Sequence, residues 1–154
     1  MTELSISEFA DRVRDVMAVI SREFLRYQTE EFYKTKITMP QFIVMNFLNR
    51  RGESSMTDLA HFINVTTAAV TGMVDRLVRD GYVARSNDPK DRRIIRIALT
   101  AKGARVVKLM LEDQRKIMIE MFGMISPSER RQYLKILEHI QHHIKEKEAA
   151  SQHA

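Results

Sequence analysis

Residues 56–76 read MTDLAHFINVTTAAVTGMVDR, and they carry the start, break and restart of two short helices. Ser55 with Asp58 three residues on is a helix-start signal, because a serine oxygen accepts an orphan N–H of the first turn. Ala60 is small enough to let a second helix pack close to the first. Asn64 stands at the break, where a left-handed backbone is often required and asparagine is the next choice after glycine. Thr66 is placed to cap the second helix. The pattern predicts helices over 57–63 and 66–79. At about 100° per residue, Val70, Met73, Val74 and Leu77 share one face of the second helix, which should bury. Ala68, Gly72, Asp75 and Arg79 fall opposite, with Thr71 and Arg76 at the edges. In a plain core pair, small residues on the outward face would have no packing purpose. In a DNA major groove they let the helix go deep, where threonine hydroxyls and alanine or threonine methyls meet base edges. Arginines further along meet phosphates. The expected DNA-facing set is therefore Thr66, Thr67, Ala68, Ala69, Thr71, Gly72, Asp75, Arg76 and Arg79. Gly72 costs about 1 kcal/mol against alanine in a helix interior. Close approach of another backbone would explain it, as would chance.

Beyond Gly81, a helix-stop glycine, the period changes. Tyr82–Arg85 and Ile94–Leu99 are β-branched and aromatic, and the turn-rich SNDPKD lies between them. This predicts an antiparallel hairpin with a basic tip. Toward the N-terminus, Ser5 with Glu8 is another helix-start signal, and Ile6, Phe9, Val13, Val16, Met17, Ile20, Phe24 and Tyr27 recur at helical spacing, which predicts a long amphipathic helix over 6–33. Thr38 with Gln41 opens a helix containing Phe42, Val44, Met45, Phe47 and Leu48, and Gly52 ends it. Past the hairpin, Thr100 caps a helix over 101–124. Ser126, Pro127 and Glu129 then open another over 127–147. Residues 149–154 are expected to be a frayed tail. The fold class is mainly α with one small β-hairpin. The long terminal helices have apolar stripes that need a partner, and the simplest partner is a second copy of the chain. Residues 1–34 and 104–148 would then form a helical dimerisation domain around an inserted unit, residues 35–103.

The chain has 154 residues, 44% hydrophobic and 29% charged, the balance of a globular protein rather than a disordered one. It has no cysteine, which excludes disulfides, thiolate metal sites, cysteine nucleophiles and thiol redox sensing. No apolar run reaches membrane-spanning length, and MTELSISEFADRVRD at the N-terminus lacks the apolar core of a signal peptide. The expected location is the cytoplasm, with no membrane association. The formal net charge is +5. It is uneven: residues 1–34 have 5 basic and 7 acidic side chains, whereas residues 50–103 have 10 basic and 6 acidic. Positive charge concentrated on a helix-turn-helix and hairpin suggests an acidic partner, although a solvated surface is the commoner fate of a charge run.

Gly81, Arg85, Asp91-Arg92-Arg93 and Leu99-Thr100-Ala101-Lys102-Gly103 together resemble the signature of the MarR family of winged-helix transcriptional regulators. The pattern is a glycine, a short strand ending in arginine, D-x-R, a second strand and L-T-x-x-G. Thr38 and Gln41 also resemble the family's second helix start. The resemblance implies a winged helix-turn-helix DNA-binding domain over 35–103 and a homodimer on a pseudo-palindromic double-stranded operator. The fourth helix would lie in the major groove. The hairpin would be a wing reaching the minor groove through Arg85, Lys90, Asp91, Arg92, Arg93 and Arg96. By position Arg93 would insert and Asp91 would orient it. A narrow A·T-rich groove attracts arginine, and a carboxylate can fix a guanidinium by paired hydrogen bonds. Alternatively, Asp91 is a turn residue bonding its own backbone. Two lobes on one face of DNA would sit about 34–36 Å apart or a multiple of that. The family often binds small aromatic anions, for which Phe9, Met17 and Tyr27 are the candidate pocket residues. The hydroperoxide-sensing branch uses an N-terminal cysteine, so that mechanism is excluded. Gly72 stands where many members have a larger polar residue, so base preference does not carry over.

The function expected is a sequence-specific DNA-binding transcriptional regulator, a repressor released from its operator by a small aromatic or anionic effector. The alternatives are an activator or a ligand-independent regulator of the same fold, or a helical ligand- or protein-binding module that does not read DNA. An enzyme is not expected: there is no phosphate-binding glycine loop, G-x-S-x-G or H-E-x-x-H. His139, His142 and His143 have the spacing of a helical zinc pair. They fall opposite the apolar face formed by Tyr133, Leu134, Leu137, Ile140 and Ile144, so a solvated face is the better reading. No metal and no cofactor are expected. Met110, Met118, Met121 and Met124 read as adaptable core or interface.

Overall fold

The computed structural model describes residues 4–26, 35–91 and 93–151. Its elements in order are α1 (Ile6–Arg26), α2 (Met39–Arg51), β1 (Ser54–Ser55), α3 (Met56–Phe62), α4 (Thr67–Arg79), β2 (Val83–Asn87), β3 (Ile95–Leu99), α5 (Ala101–Gly123) and α6 (Pro127–Ser151). The chain divides into two compact units, one up to Gln114 and one from Arg115. The boundary falls within α5.

The predicted caps are present. Ser5 with Glu8, Thr38 with Gln41, Ser55 with Asp58 and Ser126 with Glu129 all exchange reciprocal hydrogen bonds. Each satisfies N–H groups that the first helical turn leaves without a partner. The carboxyls of Glu8, Asp58 and Glu129 are held below the ordinary carboxylate range, foremost by the serine hydroxyl and then by the serine N–H. Asn64 has φ +53°, as its place at the turn requires, and Gly81 has φ +76°. The Gly81 N–H bonds the Val78 carbonyl and the Tyr82 N–H bonds that of Leu77, which closes α4.

The core of the first unit lies where these elements converge. Phe42, Val44, Met45, Phe47 and Leu48 come from α2, and Leu59 and Ala60 from α3. Val70, Val74 and Leu77 come from α4, Val83 and Ile97 from the sheet, and Val107 and Met110 from α5. Leu59 and Leu77 are sealed from solvent; truncating a leucine so placed costs about 2–5 kcal/mol.

The sheet has three strands in the order β1-β3-β2, all antiparallel, with Arg85 opposite Ile97 and Ser54 also opposite Ile97. The two-residue strand β1 was not expected from sequence. It covers the free edge of β3 and ties the hairpin to the start of α3. The L-T-x-x-G segment joins the base of the hairpin to α5. The Thr100 N–H bonds the Tyr82 carbonyl, its hydroxyl donates to the Gly81 carbonyl at 2.8 Å, and the same oxygen accepts the Gly103 N–H. Gly103 packs directly on the Tyr82 carbonyl, where a Cβ has no room.

Two boundaries differ from expectation. The last helix runs through Ser151, so residues 149–151 are helical rather than frayed, and residues 152–154 lie outside the described residues. The first helix is described to Arg26, and residues 27–34 lie outside. Along α1, Ile6, Phe9, Val13, Val16 and Met17 are exposed, with Ile6 at 82%. On α6, Tyr133, Leu134, Leu137, Ile140 and Ile144 are exposed as well. Each helix thus carries a run of exposed apolar side chains.

Candidate nucleic-acid interface

Helix α4 divides as its periodicity predicts. Val70, Val74 and Leu77 are buried and Met73 packs partly against them. Thr67, Ala68, Ala69, Thr71, Gly72, Asp75, Arg76 and Arg79 are exposed. Thr66 is the N-cap, and its oxygen accepts the Ala69 N–H. The Thr71 hydroxyl donates back to the Thr67 carbonyl at 2.8 Å, so toward an outside partner that oxygen is an acceptor. A Cβ added at Gly72 would meet nothing within 4 Å. Nothing inside the lobe therefore requires glycine there.

Asp75 and Arg85 were both expected to face DNA independently, but they hold each other. The Arg85 Nη2 lies 2.6 Å from Asp75 Oδ1, and the pair ties α4 to β2. Arg79 contacts its neighbour Asp80 through Nε at 3.3 Å. Arg76 is exposed on the same side of α4.

The hairpin tip is built around Asp88, which the sequence reading did not single out. Its Oδ1 accepts the backbone N–H groups of Lys90 at 2.8 Å and Asp91 at 3.2 Å. Its Oδ2 accepts the Arg96 Nε at 2.7 Å. The Asp88 carboxyl lies below its ordinary range, first through the Lys90 N–H, then the Arg96 guanidinium, then the Asp91 N–H. Arg96 is held further into its charged form by the same contact. Arg96, like Arg85 expected to face DNA, is engaged within the chain: its guanidinium braces the turn. The available signal was Asp88 before Pro89, since aspartate in a turn bonds backbone N–H groups two residues on.

Asp91 does what the alternative reading described. Its Oδ1 accepts the Arg93 backbone N–H at 2.9 Å, so it fixes the main chain of Arg93 rather than the guanidinium. The turn is closed further by Asp88 N–H to the Ile94 carbonyl and Ile94 N–H to the Asp91 carbonyl. Lys90 and Arg93 are exposed on this braced tip. Arg92 lies outside the described residues. The surface thus presents a helix face of small residues, exposed arginines toward the C-terminal end of that helix, and a hydrogen-bonded hairpin tip with exposed Lys90 and Arg93.

Of the pocket candidates, Phe9 and Met17 are exposed on the apolar face of α1, and Tyr27 lies outside the described residues. His139, His142 and His143 are exposed on α6. Among the described residues, no group of three or more histidine or carboxylate side chains is placed to hold a metal. No helix there is long and apolar enough to cross a membrane.

The sequence model of the MarR family matches residues 37–95. The uncharacterised HTH-type transcriptional regulator YdgJ of Bacillus subtilis (strain 168) is 30% identical over 115 residues, 75% of this chain and 70% of its own length. The HTH-type transcriptional repressor MdtR of the same organism is 30% identical over 100 residues, 65% of this chain and 64% of its own. The crystal structure of RV1404 from Mycobacterium tuberculosis matches with a TM-score of 0.76 at 27% identity, covering 92% of this chain and 96% of that one.

Proposed function

The chain belongs to the MarR family of DNA-binding transcriptional regulators, and from that premise we propose a homodimeric repressor that a small ligand releases from a pseudo-palindromic operator. The observation that carries the DNA-reading part is the outward face of α4, small and open at Gly72. A helix of this shape seats its first turns against base edges in the major groove. Thr66, Thr67, Ala68, Ala69, Thr71 and Gly72 form the approaching surface, and Arg76 and Arg79 meet phosphates. Lys90 and Arg93 reach the adjacent minor groove, where negative potential favours arginine. Asp75 with Arg85, Asp88 with Arg96, and Asp91 on the Arg93 main chain position these groups rather than read bases.

Dimerisation is supported by the exposed apolar faces of α1 and α6. Covering a contiguous face of this kind with a second copy gains roughly 25 cal/mol per Å² of apolar surface removed from water. Repression follows the character of MdtR. The effector, a small aromatic or anionic molecule, would bind near Phe9, Met17 and Tyr27. It would act by preferring a lobe spacing that no longer fits both half-sites, since a ligand shifts an equilibrium only through its differential affinity for the two states. The site of action is the cytoplasm, where the DNA is. No cofactor or catalytic residue enters this mechanism.

Selection of binding sites from random double-stranded DNA by the full-length protein tests the reading. An enriched palindrome with half-sites a helical turn or a multiple apart is expected. Absence of enrichment overturns it in favour of a helical binding module. A reporter placed behind the selected operator distinguishes repression from activation.

A further inference from the structure

Helix α6 has a side-chain cluster that DNA reading does not use. His139 and His143 are one turn apart, and their Nε2 atoms face each other at 3.1 Å. On the far side of His143, Nδ1 lies 3.0 Å from Glu146 Oε2. His142 Nε2 lies 3.2 Å from the other oxygen of Glu146. The partners settle the tautomers in the neutral pair. A carboxylate only accepts, so the His143 Nδ1 carries the proton and its Nε2 has a free lone pair. The Nε2–H of His139 donates to that lone pair.

We propose that His139 and His143 form a bidentate imidazole site for a late first-row dication such as Zn²⁺, Ni²⁺ or Cu²⁺, with water completing the coordination. Nitrogens about 2.0–2.1 Å from a metal lie about 3.3 Å apart at a tetrahedral angle and about 2.9 Å apart at a right angle. The observed 3.1 Å falls between those limits. The ion replaces the one proton lying between the rings. His139 moves its proton from Nε2 to Nδ1 through solvent, and both Nε2 lone pairs then point to the metal. No net proton is released when both rings start neutral. Glu146 already occupies the outer position that metal-ligating histidines usually fill with a carboxylate, where it fixes the ring orientation and the tautomer. Imidazole donors select these ions over Mg²⁺ and Ca²⁺, which take oxygen ligands. With no third protein ligand among the described residues, the site is open to water.

Isothermal titration of tag-free full-length protein with zinc chloride and with nickel sulfate tests the site, using Mg²⁺ as the comparison ion. One zinc or nickel ion per chain is expected, with no saturable Mg²⁺ uptake. His139→Ala and His143→Ala should each weaken binding at least tenfold, by analogy with losses on disrupting a metal site's ligand shell. His142→Ala should change it less than threefold. Glu146→Gln should weaken it by about tenfold, while Cu²⁺ electron paramagnetic resonance still reports two nitrogen ligands. All four side chains are exposed, and unchanged far-UV circular dichroism confirms that the variants fold. The proposal is overturned if the wild type takes up neither ion saturably, if Mg²⁺ binds equally well, or if both histidine variants bind like wild type.

Discussion

Replacing Gly103 with alanine should weaken the fold, although helix propensity alone argues the opposite. Alanine is favoured over glycine by about 1 kcal/mol within a helix, and Gly103 sits in the first turn of α5. The added Cβ, however, would fall well inside van der Waals contact of the Tyr82 carbonyl oxygen and 3.0 Å from Leu99 Cδ2. That oxygen is backbone and already accepts the Thr100 N–H at 3.0 Å. No side-chain rotation relieves the clash, so the start of α5 must back away by on the order of 1 Å in a close-packed interior. Backing away stretches the Thr100 hydroxyl from the Gly81 carbonyl, now 2.8 Å distant. Overpacking costs about 1–3 kcal/mol, and the loosened cap adds about 1 kcal/mol. Against the propensity gain, the net loss is about 2 kcal/mol. Urea unfolding followed by far-UV circular dichroism should show a midpoint lower by about 1 M for a urea slope near 2 kcal/mol/M. Protein concentration must be held fixed, because dimerisation couples to stability. Gly72→Ala is the internal control. Its Cβ meets nothing within 4 Å, so it should raise stability by up to about 1 kcal/mol while weakening operator binding. A Gly103→Ala midpoint at or above that of wild type would refute the steric argument.

The wing tip is tested by Arg93→Ala, which should weaken binding to the selected operator by about tenfold with an unchanged unfolding midpoint. Equal affinity by fluorescence anisotropy would remove Arg93 from the interface. The carboxyls of Asp58 and Asp88 are lowered by the hydrogen bonds they accept. A carboxyl lowered in the folded state contributes stability that is full above its unfolded pKa, about 4, and is lost as pH falls through the folded value. Urea midpoints should therefore be level above about pH 5 and decline below about pH 4, and a profile level down to pH 2.5 contradicts this account. Ile140→Glu places a charge on the open apolar face of α6. Light scattering at micromolar concentration should then give the mass of one chain, whereas a retained dimer would show that this face is not the interface.

Features determined within a few residues were legible in the sequence. The four capping pairs act over three positions, and side-chain type at those positions is enough to place a helix start. The buried and open faces of α4 follow from periodicity alone, and Asn64 and Gly81 mark backbone turns by residue type. What escaped depends on distant partners. Ser54 and Ser55 have no strand propensity, and they form β1 because β3 offers them an unpaired edge. The partner of Arg85 lies ten residues away on another element, and that of Arg96 eight residues away across the turn. Residue counting cannot separate such arginines from those that face a ligand. The family pattern placed Asp91 beside Arg93 correctly, but only the turn geometry shows that the backbone N–H is what it holds. The last helix was ended too early because nothing after Lys147 stops it: Glu148, Ala149 and Ala150 are all strong helix formers.

These internal pairings change what the positive charge of the lobe does. Arg85 and Arg96 spend their charge on Asp75 and Asp88, so they add little to the long-range attraction of a phosphate backbone. Their value is geometric. One pair fixes β2 to α4, and the other fixes the turn that holds Lys90 and Asp91. A hairpin braced at both its base and its tip loses little conformational freedom when it docks. Ordering a flexible side chain or loop on binding costs about 0.5–1.5 kcal/mol for each group immobilised. At the proposed interface the long-range attraction would come chiefly from the exposed cations Arg76, Lys90 and Arg93. On this proposal bracing and reaching are divided between neighbouring arginines of one motif: Arg85 and Arg96 set where the hairpin stands, and Arg93 would extend from it.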